Sequence, residues 1–193
     1  MAAKAHVSID DKAIARINLF QGLSTKQCAQ IAAVVEPITY EPEDLILSEG
    51  DQGDTMVLVF QGQVEVIKRV LIKASNGISE SKKAIIRLET TDPPPDENPV
   101  TMPTVHVVQL PAFGIGEFSL VSETAIRTAT VVAMTPIVAG IITIDAFNKL
   151  AETDPTIAAP VFREVAKSAV QNLATATQDI SNLTQAFFFA LST

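Results

Sequence analysis

The run Phe113-Gly114-Ile115-Gly116-Glu117-Phe118-Ser119-Leu120, followed by Arg127-Thr128-Ala129-Thr130-Val131, decides how this chain reads. Gly116 has no Cβ, so a ligand can approach its backbone closely. The residues after it suit a short helical turn, whose unpaired amides near Phe118 to Leu120 are donors for a phosphate. Ser119 is small and keeps that approach open. Arg127 adds a planar fork of donors matched to a phosphate diester. Glu117 is an acceptor suited to a hydroxyl. A carboxylate beside a phosphate is unfavourable unless a hydroxyl donor lies between them.

Outward from this run the chain reads as short strands. Leu45 to Leu47, Met56 to Phe60, Val64 to Ile72, Val105 to Leu110, Thr130 to Ala133 and Ile137 to Ile144 are rich in Val and Ile. Pro42, Gly50, Gly53, Gly62 and Gly77 punctuate them. Gly50, Asp51, Gly53, Asp54 and Gly62 are expected to shape turns without touching a ligand. This pattern predicts a small barrel or sandwich. Asn76-Gly77 is a turn signal, with Lys83 to Leu88 as the returning strand. The stretch Thr91 to Pro99 carries too many prolines and charges to hold a ladder. Residues 69–104 are therefore expected to form an extended hairpin and an acidic loop.

Helices are expected at both ends. Ser24-Thr25-Lys26-Gln27 is a capping box; Cys28, Ile31, Ala32 and Val35 follow at helical spacing, and Pro37 is expected to end that helix. Asp145 is expected to cap a short helix through Ala151. Asp154-Pro155 reads as a cap with proline at the first helical position, and Pro160 as a kink or restart. Ala166, Ala169, Leu173, Ala176, Ile180, Leu183 and Phe187 then alternate spacings of three and four, a heptad seam. The adjacent Phe187, Phe188 and Phe189 cannot share one seam, which points to a further apolar surface.

Composition narrows the function. Of the 193 residues, 47% are hydrophobic, enough for a mostly aliphatic core in a chain without Trp. The net charge of −8, with no basic stripe, disfavours duplex DNA and anionic membranes as partners. The single cysteine, Cys28, cannot form an internal disulfide and reads as a small buried hydrophobe. No signal peptide and no apolar run of the ~20 residues needed to span a bilayer are visible, so a cytoplasmic location is expected. His6 and His106 stand apart from other ligand types, so no metal site or cofactor is expected. No nucleophile–base arrangement is visible, so the chain is not expected to be an enzyme.

The two quoted motifs resemble the phosphate-binding cassette of the cyclic-nucleotide-binding domains, the family of catabolite activators, cyclic-AMP-dependent kinase regulatory subunits and cyclic-nucleotide-gated channels. Glu49-Gly50-Asp51-Gln52-Gly53-Asp54, with Gly62 behind it, is similar to the family's β-roll signature. The likeness covers roughly residues 17–187. Ile126 stands where proline is common, Ile115 and Val57 where aromatics are common, and the 69–104 insertion replaces a short hairpin. The resemblance implies an α+β fold: an antiparallel β-roll, or jelly-roll barrel, flanked by N-terminal helices and a C-terminal helical segment. One domain, 1–193, is expected, with helix and β-roll over 17–144 and helices over 145–193.

The resemblance also implies roles. Gly116 and Glu117 would hold a ribose 2′-hydroxyl, Phe118, Ser119 and Leu120 would lie on the cassette, and Arg127 would bind the cyclic phosphate. Thr128 would contact phosphate or a guanine amino group, or serve only as a strand residue. Asn172 falls near the position where a long C-terminal helix closes over the base, or is a solvated helix residue. The implied function is a non-catalytic sensor of cyclic AMP or cyclic GMP, without a counterpart of the helix-turn-helix domain. It would signal through its C-terminal helix to a protein partner or a homodimer, for which the seam suggests a parallel coiled coil. The competing expectation is an interaction or scaffold protein that kept the fold and binds no ligand.

Overall fold

The computed structural model describes residues 9–74, 77–91, 105–122 and 124–191. The strands are β1 (Glu36–Tyr40), β2 (Leu45–Leu47), β3 (Thr55–Gln61), β4 (Gln63–Ala74), β5 (Gly77–Thr90), β6 (His106–Leu110), β7 (Phe113–Ile115), β8 (Thr130–Ala133) and β9 (Ile137–Thr143). They form two sheets, in the orders β1-β9-β3-β7 and β2-β8-β4-β5-β6. β3 shows why the layers form. Met56, Leu58 and Phe60 on one face join the core beneath the helices, while Val57 and Val59 on the other join the core between the sheets. Both faces are apolar because both are buried. The α+β class and the roll flanked by helices are as expected.

One pairing departs from an antiparallel roll. β5 and β6 are parallel, with Ile86 opposite His106 and Leu88 opposite Val108. The chain between Thr90 and His106 exceeds the dozen or so residues that a parallel crossover needs. The hairpin of β4 and β5 is as extended as expected, paired from Gln63–Glu89 to Ala74–Gly77. The Asn76 turn and the proline loop from Asp92 to Pro99 lie outside the described residues.

Helices α1 (Asp11–Ala15) and α2 (Thr25–Ala32) precede the sheets. The capping box at Ser24 and Gln27 is present, and Cys28 is buried. α2 stops at Ala32, well before Pro37, which instead sits on the edge strand β1, where a missing N–H is tolerated. α3 (Ile144–Thr153) is capped by Thr143, whose hydroxyl accepts from the Ala146 amide at 3.1 Å. Asp145 lies one step inside, in the first turn, where its charge suits the helix dipole. Asp154 accepts from the Thr156 amide (3.2 Å) and hydroxyl (2.5 Å) and shapes a turn. α4 (Ala158–Leu191) starts only after that turn and runs 34 residues without interruption. Pro160 falls in its first turn, where no intrahelical donor is lost, so it neither kinks nor restarts the helix. No helix among the described residues is long and apolar enough to cross a membrane.

Candidate functional site

Two loops meet at Arg127. The Arg127 amide donates to the Asp51 carbonyl (2.8 Å), and the Gly50 amide donates to the Arg127 carbonyl (2.9 Å). The Gly53 amide donates to the Ala125 carbonyl (2.9 Å). These bonds turn the arginine inward, leaving it 8% exposed. Its Nη1 donates to the Ser119 hydroxyl at 2.7 Å, and its Nη2 to the Thr55 carbonyl and hydroxyl at 2.6 and 3.0 Å. Burial lowers the guanidinium's pKa from its ordinary value, while Asp54 and Asp51 push it back up. An arginine held this way stays cationic and cannot drift.

The slot for the guanidinium is cut by two glycines. A Cβ on Gly53 or on Gly116 would stand within 3.0 Å of it, closer than real Cβ atoms come. Gly116 adds a second reason, a left-handed φ of 81° that starts the 3₁₀ turn Glu117–Leu120. Gly53 therefore does more than shape a turn. The Ser119 amide, one of the expected anion donors, is already given to the Gly116 carbonyl at 3.0 Å.

Beside the arginine opens a cavity of about 550 Å³. Gly116, Glu117, Phe118, Ser119, Arg127 and Thr128 line it, as does Asn172 of α4. Leu120 is not among them; it is buried under the helices, packed in the helix-side core. Glu117 receives a hydrogen bond from the Ser168 hydroxyl of α4 at 2.9 Å. Leu47, Val66, Ile86, Leu88, Val108 and Leu110 supply apolar lining. Behind Thr128, the Lys68 ammonium donates to its carbonyl and to Glu49 (3.2 Å), and Glu49 also accepts from the Arg69 amide at 2.9 Å. Those donors, the Arg69 amide foremost, hold the Glu49 carboxyl below its ordinary range despite partial burial. Among the described residues no cluster of His, Cys, Asp and Glu could hold a metal.

Sequence reading missed Thr55, Ser168 and the wall from β5 and β6. Their residue types are ordinary for strands and helices, and only strand register brings them to the cavity. Gly53 carries a usable signal, since it stands within the loop Glu49 to Asp54 that is similar to the β-roll signature.

No family model and no curated protein matches this sequence. Solved structures do. A cyclic-nucleotide-binding domain from Methylobacillus flagellatus aligns with a TM-score of 0.60 at 21% identity, over 88% of this chain and 79% of its own. The fold is that of the cyclic-nucleotide-binding domains. The N-terminal domain of a transcriptional regulator from Streptomyces coelicolor shares this fold at a TM-score of 0.58 and 22% identity, over 85% of this chain and 94% of its own. The Thermus thermophilus catabolite activator protein aligns at 0.58 and 19%, over 86% of this chain; the alignment spans 62% of that protein. At these identities the likeness is one of fold. The cyclic-nucleotide-binding fold places its sheets around the cavity that holds Arg127 and Glu117.

Proposed function

We propose that this chain is a non-catalytic sensor of cyclic AMP or cyclic GMP that signals through α4. The observation that carries the reading is one cavity lined by a buried cation, a carboxylate and a set of apolar side chains. Its size falls within the ~300–1,000 Å³ of small-molecule sites. A cyclic phosphate would take hydrogen bonds from Arg127, which now makes three of the five its guanidinium can donate. A ribose hydroxyl would donate to Glu117 in competition with Ser168. The base would lie along Ile86, Leu88 and Val108 beneath Asn172, with Thr128 in reach of the phosphate or a guanine amino group.

The mechanism then follows from the Glu117–Ser168 bond. It ties the cassette to α4. A ligand that takes Glu117 releases the tie and shifts the population of α4 placements. The resident α4 thus serves as the reporter.

The same bonds favour a second reading, since Arg127 and Glu117 already hold internal partners. A scaffold protein that keeps the fold without a ligand would look like this. Titration calorimetry with cyclic AMP and cyclic GMP separates the two. The sensor reading expects saturable binding that weakens ~10–150-fold in Arg127→Gln, the scale of losing charged hydrogen bonds. Absence of heat with either nucleotide at millimolar concentration would sink it. Binding unchanged by Arg127→Gln would remove Arg127 from the site.

A further inference from the structure

The expected absence of a basic stripe does not hold locally. Between residues 68 and 83 the hairpin of β4 and β5 carries Lys68, Arg69, Lys73, Lys82 and Lys83 against a single acid, Glu80. That is a surplus of four positive charges in a chain whose net charge is −8. The hairpin also outruns its sheet. β8 pairs with β4 only from Val64 to Ile67, and β6 pairs with β5 only from Ile86 to Thr90. Beyond those bounds the two strands have no other strand beside them among the described residues. Leu71 on this arm is 75% exposed, and Ile85 at its base 47%.

Register sets the charges against each other. Lys68 stands opposite Lys83, and Arg69 opposite Lys82. Like charges directly opposite one another destabilise a strand pair. Glu49 offsets one strand only: it accepts from the Lys68 ammonium at 3.2 Å and from the Arg69 amide at 2.9 Å. Lys82 and Lys83 are exposed and have no ion pair among the described residues. The stability of the hairpin therefore does not account for these two lysines.

Their strand is open on one side. Over residues 77–84 the outer edge of β5 holds no partner among the described residues, so its N–H and C=O groups are a template for an added strand. Lysines on such an edge repel a like-charged strand and admit an acidic one. Successive residues point to opposite faces, so Lys82 and Lys83 mark both faces of the added strand. We infer that the β5 edge over residues 79–84 takes an extended acidic peptide of a partner protein, with adjacent carboxylates beside Lys82 and Lys83. Main-chain hydrogen bonds supply the grip and the two lysines the selectivity. Exposed Ile85, next along the strand, adds apolar contact for a flanking valine.

Other polyanions fit this edge less well. Phosphates of nucleic acid or lipid accept hydrogen bonds but cannot return the donors that the edge's carbonyls need. No Phe, Tyr or Trp lies between residues 68 and 85 to stack a base. The pairing needs no nucleotide, so its failure leaves the sensor reading untouched.

The test is fluorescence anisotropy with the full chain and a labelled peptide, Thr-Val-Glu-Glu-Val-Thr. Saturable binding is expected, weakened ~10-fold in the double variant Lys82→Glu, Lys83→Glu, the scale of two exposed attractions turned into repulsions. N-methylating both glutamate amides keeps the peptide's charge and removes a donor in either register, and is expected to weaken binding ~10-fold as well. Urea unfolding separates binding from folding. The double variant places carboxylates opposite Lys68 and Arg69, so its midpoint is expected to rise while its binding falls. A lower midpoint would show that the lysines serve the hairpin's own stability, and would overturn the assignment. No binding at ~1 mM peptide, equal binding of the methylated peptide, or tighter binding of an oligothymidylate or of phosphatidylserine vesicles would each overturn it too.

Discussion

Gly53→Ala probes how the arginine slot is built. Gly53 does not have a left-handed φ, so alanine meets no backbone strain there. The only penalty is steric: its Cβ would stand within 3.0 Å of the Arg127 guanidinium. From 2.2 Å to ordinary contact at 3.4 Å the head must retreat by more than 1 Å, which hydrogen bonds to Ser119 and Thr55 do not survive in good geometry. Those bonds are now 2.6 to 3.0 Å long. A hydrogen bond to a charged group contributes ~1.5–3 kcal/mol, and overpacking typically costs ~1–3 kcal/mol. Partial relaxation and water offset some of this, so the expected loss is ~2–4 kcal/mol. Urea unfolding measures it as a lower midpoint at unchanged slope. The decisive control is a cycle with Arg127→Ala. Without the guanidinium there is room, and Gly53→Ala is expected to cost under ~0.5 kcal/mol, leaving nearly the whole effect as coupling. An equal cost in both backgrounds would refute the slot.

Two other perturbations bear on the ligand and on pH. Ser168→Ala removes the competitor for Glu117 and is expected to tighten nucleotide binding ~3–10-fold, because a hydrogen bond of this class contributes ~1 kcal/mol; weaker binding in calorimetry would contradict the tie between cassette and helix. The Glu49 carboxyl is held below its ordinary range by the Arg69 amide and Lys68, so its stabilisation is complete above the normal carboxylate range and is lost as pH falls through the lowered folded value. Glu49→Gln is expected to remove that part of the acid-side loss in urea unfolding across pH 2 to 6, within about the carboxylate range; an unchanged pH slope would show that the network behind Thr128 does not couple to the proton.

Much of the framework was readable because its causes are local. The strands at Leu45–Leu47 and Thr130–Ala133 match their expected bounds, and the Ser24 cap is in place. Misplaced elements fell where two local signals competed. Thr143 and Asp145 are both capping residues, and the choice went to the one at the end of β9, whose extended backbone already suits a cap. Pro160 looked like a break because proline is costly inside helices, but the Asp154–Thr156 turn delays the helix start and leaves the proline in the first turn.

The sequence by itself determined which chemistry could be assembled: a glycine for close approach, a carboxylate, a hydroxyl and an arginine in the order Gly116, Glu117, Ser119, Arg127. It also determined the strand and helix periods that carry them, since these act within a few residues. Tertiary structure alone decided that Arg127 lies between Gly53 and Gly116 and donates to Thr55, that Glu117 meets Ser168, and that the parallel β5–β6 pair walls the cavity. Those contacts join residues from separate elements, and a strand's own pattern says which side is buried without saying which neighbour it meets. Register between strands and the docking of α4 supply that choice.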